Sequence, residues 1–427
     1  MSKIKKVHFM GVGGSGMSGV SFLAFKAGYE ITGCDIEEST AYSNKFFHGH
    51  SPDHLKNVDL LVVTPAVYFQ KVKSSELVLG EKRNIVLSWQ KFLGKYLHKG
   101  KKVICIAGTH GKSTTTAMVG KLLEDAGLDP QVTVGANYGK WGGGARYGNG
   151  DYFVTEADEF FDNFLNYSPD VIILNNTEFD HPDYFKSEEQ IFESYKKFIG
   201  KLTGEKVLIV NSDSGGVQKI LKEIDTSKLK VIKYSLNDKN PDLNLKVIGK
   251  HNVANALGVI ALGKYLKIKE DVIIKSLEGF GGIGRRMELI SDLNGIKVFD
   301  DYAHHPTAIK ATLDALNEKY PESRIWAVYE AHSYIRTKAL LTHYKGVFEG
   351  ADKVVIGPIF KARDNENFGI NEESIKKASE HKDVACFDDN SKMFKYLKDN
   401  LKSGDIVLVM GAGKSYLWAR EICNLKI

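Results

Sequence analysis

The fold class is indicated most clearly by the stretch Lys102-Val103-Ile104-Cys105-Ile106-Ala107-Gly108-Thr109-His110-Gly111-Lys112-Ser113-Thr114. A predicted strand from Lys102 to Ala107 enters a glycine-rich turn, and a predicted helix then continues to about Ala126. The turn is similar to a phosphate-binding loop of the GxxxxGK[ST] type, except that the first glycine of that pattern would fall at Ile106. The backbone amides of such a turn surround phosphate oxygens, a lysine neutralises them, and a hydroxyl from Ser113 or Thr114 can bind Mg²⁺. The stretch predicts an α/β fold with a nucleotide site, and a simple solvated Gly-Lys turn is the alternative.

A second glycine loop, Gly11-Val12-Gly13-Gly14-Ser15-Gly16, fits the pattern GxGxxG. It follows a predicted strand from Lys6 to Met10, and Asp35 lies about twenty residues further on, as a dinucleotide-binding fold requires. Glycines allow the backbone to approach a diphosphate closely, and the N-terminus of the following helix supplies amide donors. The pattern indicates a diphosphate more firmly than NAD, and an NAD-linked oxidoreductase stays open as an alternative.

The order of strand, glycine turn and helix recurs along the chain, which predicts three α/β units. We place them at residues 1–97, 98–284 and 285–427, with a doubly wound sheet in the third. Near the end of the chain, Gly411-Ala412-Gly413-Lys414-Ser415 again contains Gly-Lys-Ser. We interpret this last segment as a strand-to-helix turn without a nucleotide.

Composition narrows the class of protein. The chain has 427 residues and a formal net charge of +5, with basic and acidic residues interleaved, which favours a small anionic substrate over nucleic acid. The apolar stretches fall well short of the ~20 residues of a membrane span, and no apolar signal segment follows the basic N-terminus. The four cysteines, Cys34, Cys105, Cys386 and Cys423, show no metal-ligand spacing. We therefore expect a cytoplasmic protein with reduced cysteines and no membrane insertion.

Acidic and polar residues follow two of the predicted strands of the central unit. Glu156-Ala157-Asp158-Glu159 ends one strand, and Asn175-Asn176-Thr177-Glu178-Phe179-Asp180-His181 ends the next. Ligands of open α/β sheets bind beyond the carboxyl ends of the strands, so these groups are expected to converge near Lys112 and to form a Mg²⁺ shell. Taken alone, each cluster is more typical of a solvated strand end. Adjacent histidines rarely bind one metal ion, so we do not interpret His304 and His305 as a zinc pair.

Taken in this order, the motifs resemble those of the Mur ligase family, the ATP-dependent amide-forming enzymes of peptidoglycan precursor synthesis. The resemblance covers essentially the whole chain. It implies an α/β protein of three domains, with Rossmann-like N- and C-terminal domains around a central P-loop ATPase-like domain. The residues that carry it most specifically are the phosphate loop at 108–113, Glu156-Ala157-Asp158-Glu159, Asp180-His181, His251-Asn252 with Asn255, Arg285-Arg286, and Asp301-Tyr302-Ala303-His304-His305-Pro306.

The resemblance also implies a reaction. ATP phosphorylates the lactyl carboxylate of UDP-N-acetylmuramate, and an amine then displaces phosphate from the acyl phosphate. The N-terminal glycine loop, continuing as Met17-Ser18-Gly19, is similar to that of the alanine-adding members, so L-alanine is the expected acceptor. Members that attach a tripeptide share this loop, and Ser333 stands where alanine-adding members usually have arginine, so a tripeptide acceptor is the alternative. A P-loop kinase or ATPase that forms no amide is a less favoured one. A monomer or weak homodimer is expected.

The roles that the resemblance implies are distributed along the whole chain. Arg336 is a natural partner for the acceptor carboxylate because a guanidinium pairs bidentately. The expected catalytic residues are Lys112, His181 and His304. UDP-N-acetylmuramate is expected at Gly11, Gly13, Gly14, Ser15, Gly16, Met17, Ser18 and Asp35, and the acceptor at Tyr302, His304, His332 and Arg336. ATP is expected at Gly108, Thr109, His110, Gly111, Lys112, Ser113, Thr114, Asn252, Asn255, Arg286 and Asp301, and Mg²⁺ at Ser113, Glu156 and His181.

Overall fold

Three mostly parallel β-sheets with flanking helices make up the protein. The computed structural model describes residues 4–36, 46–69, 73–293 and 295–425. The sheets have five, seven and six strands and follow one another along the chain. The predicted α/β class is confirmed. Among the described helices, none has the length and apolar character needed to cross a membrane.

The first sheet has the strand order β3-β2-β1-β4-β5, and all of its pairings are parallel. Its central strand β1 is buried from Val7 to Met10. Near-continuous apolar strands are typical of parallel sheets that are covered on both faces. The strands are β1 (Lys6–Met10), β2 (Glu30–Asp35), β3 (Phe46–His48), β4 (Leu60–Val63) and β5 (Val86–Ser88), and the helices are α1 (Ser15–Lys26), α2 (Ser75–Lys82) and α3 (Trp89–Phe92).

The second sheet has the order β12-β11-β10-β6-β9-β7-β8, and only the pairing of β7 with β8 is antiparallel. Its strands are β6 (Lys102–Ala107), β7 (Gln131–Tyr138), β8 (Gly143–Arg146), β9 (Tyr152–Ala157), β10 (Val171–Leu174), β11 (Val207–Asn211) and β12 (Lys230–Tyr234). Its helices are α4 (Lys112–Asp125), α5 (Glu188–Ile199), α6 (Gly215–Glu223), α7 (Lys250–Tyr265) and α8 (Glu270–Glu278).

The third sheet has the order β13-β14-β18-β15-β16-β17, with only β13 and β14 antiparallel. Its inner strand β15 is buried throughout: Ala327 and Tyr329 pack into one core, and Trp326 and Val328 into the core on the opposite face. The strands are β13 (Glu288–Leu293), β14 (Ile296–Asp301), β15 (Ile325–Tyr329), β16 (Lys353–Ile356), β17 (Val384–Cys386) and β18 (Ile406–Met410). The helices are α9 (Pro306–Lys319), α10 (Tyr334–Ala339), α11 (Glu372–Ser379), α12 (Asn390–Asn400) and α13 (Ser415–Cys423).

The residues group into two compact units. The first unit comprises Met1–Thr177, Ile191–Pro241 and Asn255–Leu277 and holds the first two sheets. The second unit comprises Glu178–Gln190, Asp242–Ala254 and Glu278–Ile427 and holds the third sheet. This grouping does not test the predicted domain boundaries near residues 97 and 284, which stay predictions.

Within the first unit, helix α1 of the first sheet packs on the β7–β8 hairpin of the second. The contact is close at Gly19, where a Cβ atom would lie 3.2 Å from the carbonyl oxygen of Gly144 and 3.3 Å from the Cβ of Ala145. A larger residue at this position would have to push the hairpin away, because 3.0–3.4 Å is tighter than ordinary van der Waals contact. The lack of a side chain at Gly19 therefore allows α1 to lie close to the β7–β8 hairpin.

Candidate active site

The phosphate loop follows β6 and adopts a backbone that only glycine tolerates well. Gly108 has a φ of +135° and Gly111 a φ of +81°. A Cβ atom on Gly111 would lie 2.4 Å from Oδ1 of Asn255, and one on Gly108 would lie 2.9 Å from the carbonyl oxygen of Asn176. Gly111 is also the N-cap of α4, and as a glycine it has no side chain with which to cap that helix. The first amides of α4 thus face the loop, which is the arrangement that binds phosphate.

Lys112 is held in this loop by a buried carboxylate. Its Nζ donates to Oε2 of Glu159 at 2.9 Å and to the carbonyl oxygen of Gly108 at 2.6 Å. Glu159 is only 2% exposed and also accepts a hydrogen bond from the hydroxyl of Tyr195. Burial alone would lower the pKa of the Lys112 ammonium, but the carboxylates of Glu159 and Asp158 outweigh it and raise that pKa. The lysine is therefore a fixed cation.

Asparagines that follow β10 secure the same loop. The amide of His110 donates to Oδ1 of Asn176 at 2.8 Å, and Nδ2 of Asn176 donates back to the carbonyl oxygen of His110 at 3.2 Å. Nδ2 of Asn175 donates to the hydroxyl of Thr115 at 3.0 Å. These bonds connect the loop and the start of α4 to the segment that follows β10.

The two expected metal ligands in the first unit lie on neighbouring elements. Ser113 belongs to the first turn of α4, which follows β6, and Glu156 lies near the end of β9, which pairs with β6. Oε1 of Glu156 accepts a hydrogen bond from the amide of Gly135 at 2.5 Å. A hydroxyl and a carboxylate are the hard oxygen ligands that Mg²⁺ prefers.

The first glycine loop joins β1 to α1. The amide of Gly13 donates to Oδ2 of Asp35 at 2.8 Å, so this carboxylate braces the loop. Residues Gly13, Gly14 and Ser15 are exposed, and the N-cap of α1 is Gly14, which has no side chain with which to cap the helix. The side chain of Met17 is buried, which leaves its backbone amide as the group near the helix N-terminus. An exposed turn at the N-terminus of a helix suits a diphosphate.

In the second unit, several expected site residues lie around the ion pair of Arg336 and Asp180. Nε of Arg336 lies 3.0 Å from Oδ1 of Asp180. The other guanidinium nitrogens lie 3.1 Å from Nδ1 of His332 and 3.0 Å from Nδ1 of His181. Nδ1 of His304 lies 2.9 Å from the carbonyl oxygen of Tyr302, and because a carbonyl only accepts, this nitrogen carries the proton.

Charges in this cluster are strongly perturbed. Burial would raise the pKa of Asp180, but Arg336 and the nearby histidines hold it well below its usual value. Burial, together with Arg336, lowers the pKa of His304 well below its usual value and that of His332 to about 4. The cluster thus combines the ion pair of Asp180 and Arg336 with the imidazoles of His304 and His332, whose lowered pKa values keep them neutral at neutral pH.

The remaining residues expected to contact ATP or the acceptor in the second unit lie near β14 and at the start of α7. Asp301 is buried, and its carboxylate accepts from the amides of Ala303 and Met287, each at 2.7 Å. The guanidinium of Arg286 stacks over the ring of Tyr302 at 4.8 Å. At the start of α7, Nδ2 of Asn252 donates to the carbonyl oxygen of Ile248 at 2.8 Å.

The second Gly-Lys-Ser sequence forms a strand-to-helix turn between β18 and α13, as predicted. Its amides are used by the protein itself. The amides of Lys414 and Ser415 donate to the carboxylate of Glu330 at 3.1 and 3.0 Å. Glu330 is 3% exposed, and burial raises its pKa.

The expected site residues are divided between the two units. Those of both glycine loops, with Glu156 and Asn255, belong to the first unit, whereas the second unit contains His181, Asn252, Arg286, Asp301, Tyr302, His304, His332 and Arg336. The roles of these residues toward ligands stay predictions. Sequence reasoning missed Glu159, Asn175, Asn176 and Asp180 as partners, although all four lie inside motifs that it singled out.

Three family models match the chain: Mur ligase family, catalytic domain (residues 6–99), Mur ligase middle domain (106–246) and Mur ligase, glutamate ligase domain (285–413). The chain is 35% identical to the UDP-N-acetylmuramate–L-alanine ligase of Alkaliphilus metalliredigens, over 98% of this chain and 97% of that one.

Two solved structures have a similar fold. A UDP-N-acetylmuramate–alanine ligase from Thermotoga maritima gives a TM-score of 0.76 at 24% identity and covers 99% of both chains. A murein peptide ligase from Psychrobacter arcticus gives 0.71 at 24% identity, over 99% of this chain and 98% of that one. With a relative of this identity over nearly its full length and with all three models in order, the chain belongs to the Mur ligase family.

Proposed function

We propose that the protein is an ATP-dependent ligase that joins the lactyl carboxylate of UDP-N-acetylmuramate to L-alanine in peptidoglycan precursor synthesis. One observation carries this proposal. The phosphate loop holds Lys112 as a fixed cation at the start of a helix whose N-cap is glycine, in a chain similar over nearly its full length to a ligase named for these two substrates. The proposed location is the cytoplasm, where such a nucleotide and ATP would be available.

The first step transfers the γ-phosphoryl group of ATP to the lactyl carboxylate, which gives an acyl phosphate and ADP. Lys112 and the amides at the start of α4 stabilise charge on the transferred group. Glu159 keeps the ammonium charged and prevents it from leaving the loop. A divalent ion, which we propose to be Mg²⁺ held with the help of Ser113 and Glu156, would neutralise phosphate oxygens.

In the second step the acceptor amine attacks the acyl carbon and inorganic phosphate leaves. We assign acceptor recognition to the cluster of Arg336, His332 and His304. Because Nδ1 of His304 donates to a backbone carbonyl, its Nε2 carries the lone pair that can accept a hydrogen bond from the amine. Asp180 orients Arg336, whose guanidinium can pair with the acceptor carboxylate.

Phosphate release tests the proposal. The purified protein is assayed with ATP, UDP-N-acetylmuramate and L-alanine together, and then with each omitted. A ligase releases phosphate in step with amide formation. It reaches the full rate of release only when all three substrates are present. Phosphate release at the full rate with ATP alone would identify an ATPase. Oxidation or reduction of an added nicotinamide cofactor, seen as a change in its absorbance, would identify an oxidoreductase. L-Serine, glycine and the tripeptide L-alanyl-D-glutamyl-diaminopimelate replace L-alanine in parallel assays, and a preference for the tripeptide would overturn the acceptor assignment.

A further inference from the structure

A polar cluster interrupts the apolar core on one face of the first sheet. His8 lies on β1, Cys34 on β2 and Glu76 on α2, while His54 lies in the short 3₁₀ helix Pro52–Leu55. The side chains of His8 and Glu76 are fully buried, and that of His54 is 10% exposed. The surrounding residues are apolar and include Met10, Leu55, Leu61, Val63 and Leu77. A buried carboxylate costs free energy of folding unless specific partners compensate for its lost hydration. The position of Glu76 in this core therefore needs a physical explanation.

The donor atoms of these side chains have the spacing of a metal site. Nε2 of His8 lies 3.3 Å from Sγ of Cys34 and 3.0 Å from Oε1 of Glu76. Nδ1 of His54 lies 3.2 Å from the same carboxylate oxygen, and Sγ of Cys34 lies 3.4 Å from the other. Neighbouring ligands of tetrahedral zinc, at bond lengths of about 2.0 to 2.3 Å, lie roughly 3.3 to 3.6 Å apart. The ligand atoms of all four side chains lie within 4.8 Å of one another, so they converge on one point.

Three polar groups surround the thiol at short distance. Sγ of Cys34 lies within 3.4 Å of groups on His8, Glu76 and His50. A thiol is a weak donor and a weak acceptor, so such an environment stabilises a neutral thiol only weakly. A metal-bound thiolate would instead share its ion with His8 and Glu76 and accept a hydrogen bond from His50, 3.2 Å away.

Residues outside the cluster orient its side chains, as they do around metal-bound residues in proteins. Nδ1 of His8 lies 2.6 Å from the hydroxyl of Thr32, which turns Nε2 toward the cluster, and such partners orient metal-bound histidines. The fully buried carboxylate of Glu76 lies within 3.5 Å of nitrogens of His8, His50 and His54. The two positive charges of a divalent ion would be balanced by one thiolate and one carboxylate, and the imidazoles would add no charge. The complete site would therefore be neutral, which suits a buried position.

We propose that His8, Cys34, His54 and Glu76 bind one thiophilic divalent ion of the zinc type. Sulfur and imidazole ligands select such an ion over Mg²⁺, so this site is chemically distinct from the oxygen ligands proposed for the ATP-linked metal. The carbonyl oxygen of Cys34 accepts hydrogen bonds from the amides of Gly11 and Val12. A bound ion would therefore stiffen the strand that supports the first glycine loop.

Metal analysis of the full-length protein tests this inference without any activity assay. The protein is incubated with Zn²⁺, dialysed against metal-free buffer with excess Mg²⁺, and analysed by atomic emission. We expect about one zinc per chain and at least a tenfold loss of affinity in Cys34→Ser, measured against a chromophoric chelator. Cys105→Ser is the matched control, because Cys105 is also a buried thiol on a strand and lies outside the cluster. It should retain the zinc.

Cobalt supplies a readout that does not depend on any variant. Co²⁺ bound by the unaltered protein should show the thiolate-to-metal charge-transfer absorption and intense visible bands of a tetrahedral site. These bands should persist in Cys105→Ser and disappear in Cys34→Ser or Glu76→Gln, whose folding is checked by circular dichroism. An octahedral, oxygen-type cobalt spectrum in the unaltered protein would overturn the proposal, as would zinc below about a tenth of an equivalent or Cys34→Ser with unaltered affinity. Because none of these readouts uses turnover, the result is independent of the proposed ligase activity.

Discussion

Replacing Gly111 with alanine adds one methyl group at a position where the phosphate loop has no room for it. The residue has a φ of +81°, and a left-handed backbone costs an alanine about 1 to 2 kcal/mol relative to glycine. The new Cβ would also lie 2.4 Å from Oδ1 of Asn255 and 3.0 Å from Nδ2 of Asn175. Disturbing these buried amides, one of which donates to Thr115, adds about 1 to 3 kcal/mol.

Gly127 offers a control on the other end of the same helix. Its φ is +73°, but a Cβ there would have nothing within 4 Å. Gly127→Ala should therefore show only the backbone cost. We expect Gly127→Ala to lower the free energy of unfolding by about 1 to 2 kcal/mol and Gly111→Ala to lower it by a further 1 to 3 kcal/mol or so. Urea denaturation measures both.

ATP binding separates the two variants more sharply. Titration calorimetry should give Gly127→Ala an ATP affinity within about twofold of the unaltered protein, and Gly111→Ala an affinity at least tenfold weaker, about 1.4 kcal/mol. The reason is that displaced asparagines change the loop that would surround the phosphates. Equal stability losses in the two variants, with ATP binding unaffected in both, would refute the reasoning from Asn255 and Asn175.

Four further changes test other parts of the site. Lys112→Ala should keep the fold but lower the rate of amide formation on the order of 10² to 10³-fold, since it removes the fixed cation; near-normal turnover in the phosphate assay would exclude the loop from the mechanism. Gly13→Val should weaken UDP-N-acetylmuramate in calorimetry and leave ATP binding nearly unchanged, because a side chain there blocks backbone approach to a diphosphate; tight NAD binding without UDP-sugar binding would contradict it. Arg336→Lys should raise the KM of the acceptor more than that of ATP, because lysine cannot form the forked pair; a change confined to ATP would remove its assigned role. Burial raises the pKa of Asp300 to about 6, so the native state holds a proton more tightly than the unfolded chain, and stability from this group is present at low pH and lost as pH rises from about 4 to 6; urea unfolding across this range should show the unaltered protein losing stability relative to Asp300→Asn, and a constant difference would argue against it.

The parts of the fold that sequence reasoning predicted are those with a strong local signal. Strands at Lys6–Met10 and Lys102–Ala107 have the predicted limits, because an apolar run ends abruptly at glycines that need positive φ. The β7–β8 hairpin carries no such signal. Its strands are rich in glycine and polar residues, and contact with α1 at Gly19 helps to hold it in place. Three-residue edge strands such as Phe46–His48 are likewise too short to stand out.

For the site, sequence reasoning identified motifs but not pairings. Glu156, Asp158 and Glu159 lie together in the sequence, and only the structure shows that Glu159 holds Lys112. Asp180 and Arg336 meet across more than 150 residues, a distance at which spacing carries no information. The cysteines illustrate the same limit, because Cys34 lacks any metal-ligand spacing in the sequence and yet lies among two histidines and a glutamate in the fold.

Glu330 occupies the position at the second Gly-Lys-Ser sequence where a phosphate would bind. Its carboxylate takes the place at the start of α13 that a phosphate takes in a nucleotide-binding loop, so the protein supplies its own acceptor for these amides. A nucleotide offered to this turn would have to expel a buried, doubly hydrogen-bonded carboxylate and then face its negative charge. Two turns of similar sequence therefore differ in the partner of their amides. At the second turn the amides donate to a carboxylate of the protein itself, and these hydrogen bonds connect the end of β15 to the last helix.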